Sequence, residues 1–168
     1  HNEGVTVFFG VPTMFQMLMD SSKFAGTDFS RVRFMVSGGA PLGQPLFDAF
    51  KTEKSIHICE GYGLTEVGPN CFLANGKLGT IGHAMPHVDV KLVGTDGCEV
   101  PQGEEGEILL RGPNVCAGYL NKPETTAKAI VDGWFHTGDL GKLDQDGHMA
   151  IVGRLKDMII SGGVNIYP

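Results

Sequence analysis

Between residues 5 and 59 three short apolar runs, VTVFFGV (5–11), VRFMV (32–36) and IHIC (56–59), are separated by helix-like stretches, and that order leaves few folds open. An unbroken apolar strand needs cover on both faces, which flanking helices supply. Pro12 stands at the first helical position after the first run, where its missing N–H costs nothing. Met14, Phe15, Met17 and Leu18 follow as an apolar stripe at helical spacing, read as core. Leu46, Phe47 and Phe50 mark a second helix. Apolar strands with intervening helices predict a parallel α/β sheet, with the first run a buried strand.

From about residue 78 the texture changes. Short runs (VDVKLV, GEILLR, GKLD, HMAIVG) are separated by turn signals such as Thr95-Asp96-Gly97 and Asp144-Gln145-Asp146-Gly147. One helix interrupts, from Pro123-Glu124-Thr125-Thr126 to about Ile130. This half reads as antiparallel, a small barrel or sandwich. The expected organisation is an α/β subdomain over 1–77, a β-rich subdomain over 78–153, and a hinge over 154–168. No internal repeat is visible.

A chain of 168 residues has room for one ordinary domain or two small subdomains. Its 13 basic residues are scattered against 19 acidic ones, for a net charge of −6. Nucleic-acid binding needs clustered Lys and Arg, so that class is set aside. No apolar run reaches bilayer length, and no signal peptide is expected. Cys59, Cys71, Cys98 and Cys116 lie 12, 27 and 18 positions apart, which is neither a metal-knuckle nor a redox-pair spacing. Reduced cysteines in a cytoplasmic protein is the reading. His83 and His87 are four apart, but Pro86 and Gly82 make a helix, and hence a zinc pair, a poor reading. A chain that starts at His1 and stops at "NIYP" reads as part of a longer protein.

Ligands of open α/β sheets bind beyond the carboxyl ends of the strands. Two glycine-rich turns are expected there, at 37–41 (SGGAP) and 60–65 (EGYGLT). Glycines let backbone groups approach a base or phosphate with no Cβ in the way, although each turn alone is equally a structural tight turn. Gly61-Tyr62-Gly63 is not a dinucleotide fingerprint, because Glu66 replaces its last glycine, and no G-x-x-x-x-G-K-[ST] loop exists. The second turn runs instead into a hydroxyl, Thr65, and a carboxylate, Glu66. That pair suits a phosphate oxygen and Mg²⁺, while Tyr62 offers a face for adenine. In DGWFHTGDLG (132–141) Asp139 comes after a His-Thr-Gly turn and could accept from both ribose hydroxyls, or could simply cap or form a turn. GRLKDMIISGGVNIYP (153–168) carries Arg154, Lys156 and Asp157 ahead of a second Gly-Gly turn; on spacing alone it is a solvated linker.

SGGAPL, GYGLTE, GWFHTGDLG and GRLKDMIISGGVNIYP, in this order, resemble the core motifs of the adenylate-forming enzymes, the superfamily of acyl-CoA synthetases, luciferases and peptide-synthetase adenylation domains. The resemblance spans residues 5–168. It implies a fragment of the large N-terminal domain of such an enzyme, and ATP, Mg²⁺ and CoA as ligands. Members attack the α-phosphate of ATP with a carboxylate, release pyrophosphate, and pass the acyl group from AMP to a thiol. By resemblance, Gly38, Gly39 and Ala40 line the adenine and acyl pockets, with Tyr62 and Gly63 beside them and Tyr62 stacked on adenine. Thr65 contacts phosphate, Glu66 holds Mg²⁺, and Asp139 and Arg154 hold the ribose. Lys156 matches the hinge about which the small C-terminal domain swings, and Gly162 and Gly163 match the loop that this swing brings in for thioester formation. The family's phosphate loop and C-terminal catalytic lysine match nothing here, so the segment alone is expected to be inactive.

Gly61 stands where malonate-activating relatives place an arginine, which argues against a dicarboxylate. VFFGVPTMF and GLTEVGPNCF resemble fatty acyl-CoA and feruloyl-CoA synthetases, and the expected substrate is a medium- or long-chain fatty acid. An enzyme of that kind is compatible with peripheral membrane contact. The alternatives are an aryl-acid CoA ligase, an adenylation domain that loads a carrier protein, and a catalytically inactive nucleotide-binding homologue.

Overall fold

The computed structural model describes residues 4–74, 76–157, 159–161 and 164–166. Its first strand, β1 (Val7–Gly10), leads into α1 (Pro12–Met19), then β2 (Phe34–Gly38), α2 (Gln44–Lys54) and β3 (Ile58–Leu64). β1, β2 and β3 pair in parallel, Phe9 opposite Val36 and Val36 opposite Cys59, with a helix in each crossover. The expected α/β sheet is therefore present. α2 ends where Ser55 turns left-handed (φ 55°) and the Ile56 N–H closes onto the Phe50 carbonyl at 3.1 Å. Lys51 and Lys54 in its last turn oppose the negative end of the helix dipole.

Phe15, Phe24 and Phe50 centre the core beneath this sheet. Phe50 meets Phe15 edge-on at 5.6 Å and Phe24 at 5.2 Å, a favourable arrangement for aromatic quadrupoles. Two expectations change here. β1 is not buried: it is the sheet's edge, and only Phe8 faces the core, while Val7 and Phe9 point to the uncovered side. Along α1 it is Phe15 that is buried, with Leu18 packed beside the core. Met14 and Met17 fall on the neighbouring stripe and are exposed.

β3 does not stop at Cys59. It runs through Gly61-Tyr62-Gly63 to Leu64 and turns back into β4 (Gly68–Ala74), to which the two-residue β5 (His83–Ala84) adds. The expected turn at 60–65 is thus mostly strand, because β2 on one side and β4 on the other supply partners that override the glycines' weak propensity. The reversal itself is at Thr65, Glu66 and Val67.

The remainder forms a second, antiparallel sheet: β6 (Asp89–Val93), β7 (Glu105–Arg111), β9 (Trp134–Leu143) and β10 (Met149–Arg154), in the order β10-β9-β7-β6. α3 (Pro123–Ala129) and the short β8 (Ile130–Val131) precede β9. The sheet is barrel-like but open, with β6 and β10 at its edges. Ile108, Leu110, Phe135 and Met149 form its core together with Val67 and Phe72 of the β3–β4 hairpin, so the hairpin packs into both halves. A 3-10 turn (Leu155–Asp157) and a hairpin of β11 (Ile159–Ser161) and β12 (Val164–Ile166) complete the described chain. Among the described residues no helix is long and apolar enough to cross a membrane.

Candidate functional site

The parallel strands β2 and β3 deliver the 39–41 turn and Tyr62 to one side of a cleft of about 480 Å³. Gly79, Thr80 and Ile81 close its rim, and Asp139, Ile151 and Arg154 of the second sheet form the opposite wall. Glu60, 9% exposed, holds the two rims together: its Oε1 accepts the Leu42 N–H at 2.9 Å and its Oε2 the Gly79 N–H at 3.2 Å. A carboxylate that accepts two backbone N–H groups fixes both loops at once. Sequence reasoning missed Glu60; its only signal was a charge inside an otherwise apolar strand.

Asp139 owes its position to a bulge. In the β7–β9 ladder Glu107 faces Leu140 and Leu109 faces His136, so Thr137, Gly138 and Asp139 together oppose Ile108 alone. Gly138 takes φ +70°, a conformation that favours glycine. Thr137 donates to the Ile108 carbonyl at 2.8 Å and accepts the Asp139 N–H at 3.0 Å. The bulged segment turns the Asp139 carboxylate toward the cleft, where Arg154, its partner across to β10, meets it.

The Arg154 Nε–H donates to Asp139 Oδ1 at 2.7 Å, and the Tyr62 hydroxyl donates to Oδ2 at 2.7 Å. Tyr62 and Asp139 are 77 residues apart in the chain. Burial above all, and then the Asp139 carboxylate, push the Tyr62 phenol far above its ordinary range, so it remains a donor. The hydrogen bond to Asp139 likewise raises the Arg154 guanidinium. Each bond to a charged partner contributes about 1.5–3 kcal/mol, the Arg154 one toward the lower end because its side chain is 48% exposed. A carboxylate has about four acceptor positions, and these two bonds leave one on each oxygen for a ligand. Those two positions could accept a pair of adjacent hydroxyls.

Of the residues singled out in the sequence, Gly39, Ala40, Tyr62, Gly63, Asp139 and Arg154 meet at this cleft. Gly38 is buried within β2, paired with Gly61, and does not line it. Thr65 and Glu66 sit at the hairpin reversal beyond the cleft lining, Thr65 exposed and Glu66 partly buried. Glu66 is held rather than loose: Tyr119 donates its hydroxyl to Oε1 at 2.8 Å, and the Cys116 N–H bonds the Glu66 carbonyl at 2.7 Å. That hydrogen bond raises the Tyr119 phenol. Tyr119 was not foreseen, since 53 residues separate it from Glu66. Lys156 is exposed on the 3-10 turn just past Arg154. Gly162 and Gly163 lie outside the described residues.

The model of the AMP-binding enzyme family matches residues 1–120. The chain is 43% identical over 171 residues to a feruloyl-CoA synthase of Amycolatopsis sp, covering 99% of this chain and 35% of that protein. It is 40% identical over 167 residues to a long-chain-fatty-acid–CoA ligase of Yersinia pestis, covering 97% of this chain and 30% of the relative. Among solved structures it matches a fatty acyl CoA synthetase of Mycobacterium tuberculosis with a TM-score of 0.86 at 36% identity, over 99% of this chain and 34% of that one. The chain thus spans about a third of the length of the relatives it matches.

Proposed function

The chain belongs to the AMP-binding enzyme family, and we propose that it forms the nucleotide-binding middle of an ATP-dependent, AMP-forming acyl-CoA ligase of the cytoplasm. The observation that carries this reading is the Tyr62–Asp139–Arg154 array, which three distant chain segments build on one cleft wall. Asp139 accepts the two ribose hydroxyls on the lone pairs that Arg154 and Tyr62 leave open. Tyr62, fixed through its hydroxyl, presents its ring to adenine, and Gly39 and Ala40 let the base lie close to the backbone. Thr65 donates to a phosphate oxygen.

Glu66 fits a Mg²⁺ ligand: Tyr119 occupies Oε1, and Oε2 carries no hydrogen bond among the described residues. A Mg²⁺ held there by Glu66 would supply positive charge to offset that of the phosphates. The substrate carboxylate attacks the α-phosphate, pyrophosphate departs, and the CoA thiol then displaces AMP from the acyl carbon. Residues 154–168 serve as the hinge for that second step, with Lys156 at its pivot and Gly162 and Gly163 taking part in thioester formation. An exposed turn directly after cleft-bound Arg154 supports this assignment.

We infer a monocarboxylic substrate, a medium- or long-chain fatty acid. Gly61 has no side chain to pair a second carboxylate, and a Cβ there would need Asn70 Oδ1, 2.5 Å away, and Val36 Cγ1, 3.0 Å away, to give way. An aryl acid is the second reading, favoured by the identity to a feruloyl-CoA synthase. The test is to supply the full-length protein with ATP, Mg²⁺, CoA and a panel of fatty, aryl and dicarboxylic acids, and to identify products by mass spectrometry. Fatty acyl-CoA with AMP is expected. Aryl-CoA would replace the fatty-acid assignment, and no thioester from a protein that binds ATP would overturn the ligase reading.

A further inference from the structure

The bulge that presents Asp139 has an unusual support. Where β9 leaves the ladder, the Gly138 N–H has no strand carbonyl opposite it, and the Oε1 of Glu107 accepts it instead at 3.0 Å. The other oxygen, Oε2, lies 2.9 Å from His136 Nδ1. A carboxylate only accepts, so the imidazole donates from Nδ1. Glu107 therefore grips β9 on both sides of Thr137, and its own side chain is only 13% exposed. The grip is independent of the cleft: Glu107 and His136 line a separate cavity of about 380 Å³ and do not line the one that Asp139 faces.

We propose that Glu107, braced by His136, is a positioning residue for Asp139, setting the carboxylate that recognises the ribose without touching the nucleotide. Loss of the carboxylate leaves a partly buried N–H unpaired, and the bulge relaxes toward an ordinary ladder in which Asp139 turns from the cleft. The proposal rests on the reading of Asp139 as the ribose acceptor.

The test compares equilibrium affinities of the full-length protein for ATP and 2′,3′-dideoxy-ATP. Wild type prefers ATP, and Asp139→Ala brings the ratio close to one. Glu107→Ala is expected to cut the preference by about tenfold. Glu107→Gln keeps an oxygen for the Gly138 N–H and is expected to retain most of it. A merely structural role would weaken both nucleotides alike and leave the ratio unmoved. If Asp139→Ala abolishes the preference and folded Glu107→Ala does not, the positioning role is wrong. Should Asp139→Ala itself leave the preference intact, the ribose reading fails and the inference with it. If Glu107→Ala does not fold, Glu107→Asp withdraws the carboxylate by one methylene; the same drop is expected, and an unchanged ratio overturns the proposal.

Discussion

Replacing Gly63 by alanine should break the β3–β4 hairpin at the heart of the molecule. Tyr62 faces Phe72 and Leu64 faces Gly68, so Pro69, Asn70 and Cys71 all bulge across the single residue Gly63. A Cβ there would lie 2.1 Å from the Gly68 oxygen and 2.4 Å from the Pro69 carbonyl carbon. Carbon contacts settle near 3.5–4.0 Å, so β4 must retreat by more than about 1 Å. Overpacking of this kind costs about 1–3 kcal/mol, and a loosened backbone hydrogen bond adds about 1. The expected loss is about 3 kcal/mol, a large share of a domain's usual 5–15. Urea unfolding followed through Trp134, the single tryptophan, reads it out. Gly26→Ala, with nothing within 4 Å of the new Cβ, is the control and should stay within about 0.5 kcal/mol of wild type. If Gly63→Ala matches that control, the bulge does not demand the glycine. Lost ATP binding with unchanged stability would then assign Gly63 to the ligand alone.

Phe50→Ala should cost about 3–5 kcal/mol by the same assay, because Phe50 is fully buried among Phe15, Phe24 and Phe29. Tyr62→Phe removes one donor to the buried Asp139 and should weaken ATP binding by about fivefold and lower the melting temperature by several degrees, measured by calorimetry and thermal scans. Lys77 bonds Asp144 at 2.5 Å and Asp146 at 3.0 Å, tying the cleft rim to the β9–β10 turn. Lys77 above all holds the Asp144 carboxyl down at about 2, against an ordinary 3.8. The unfolded chain then takes up the proton first, so the stabilisation is full above about pH 4 and fades as pH falls toward about 2. Asp144→Asn should lower the melting temperature at pH 6 and make progressively less difference below pH 4. An equal effect at both ends of that range would contradict the ion pair.

The layered order of the fold was readable because apolar runs and helical stripes are local signals. Burial of β1 was misjudged because an edge strand has the same composition as a central one. The stretch around Tyr62 reads as a loop by composition, since only pairing with β2 and β4, invisible in the local sequence, makes it a strand. Asp139 and Arg154 stood out through their motifs, but their meeting with Tyr62 is a product of tertiary closure. Glu60, Glu107 and Tyr119 escaped notice for a related reason: each is a polar residue at an ordinary strand or loop position whose partner is remote. The remoteness ranges from 18 residues for Glu60 to 53 for Tyr119.

The central claim, that this cleft serves carboxylate adenylation, is tested most directly by acid-dependent exchange of labelled pyrophosphate into ATP by the full-length protein. Exchange that requires a carboxylic acid, is strongest with fatty acids, and falls to background in Glu66→Ala and Asp139→Ala is the predicted result. A folded protein that binds ATP yet catalyses no exchange with any acid would contradict it and leave a nucleotide-binding homologue without the chemistry.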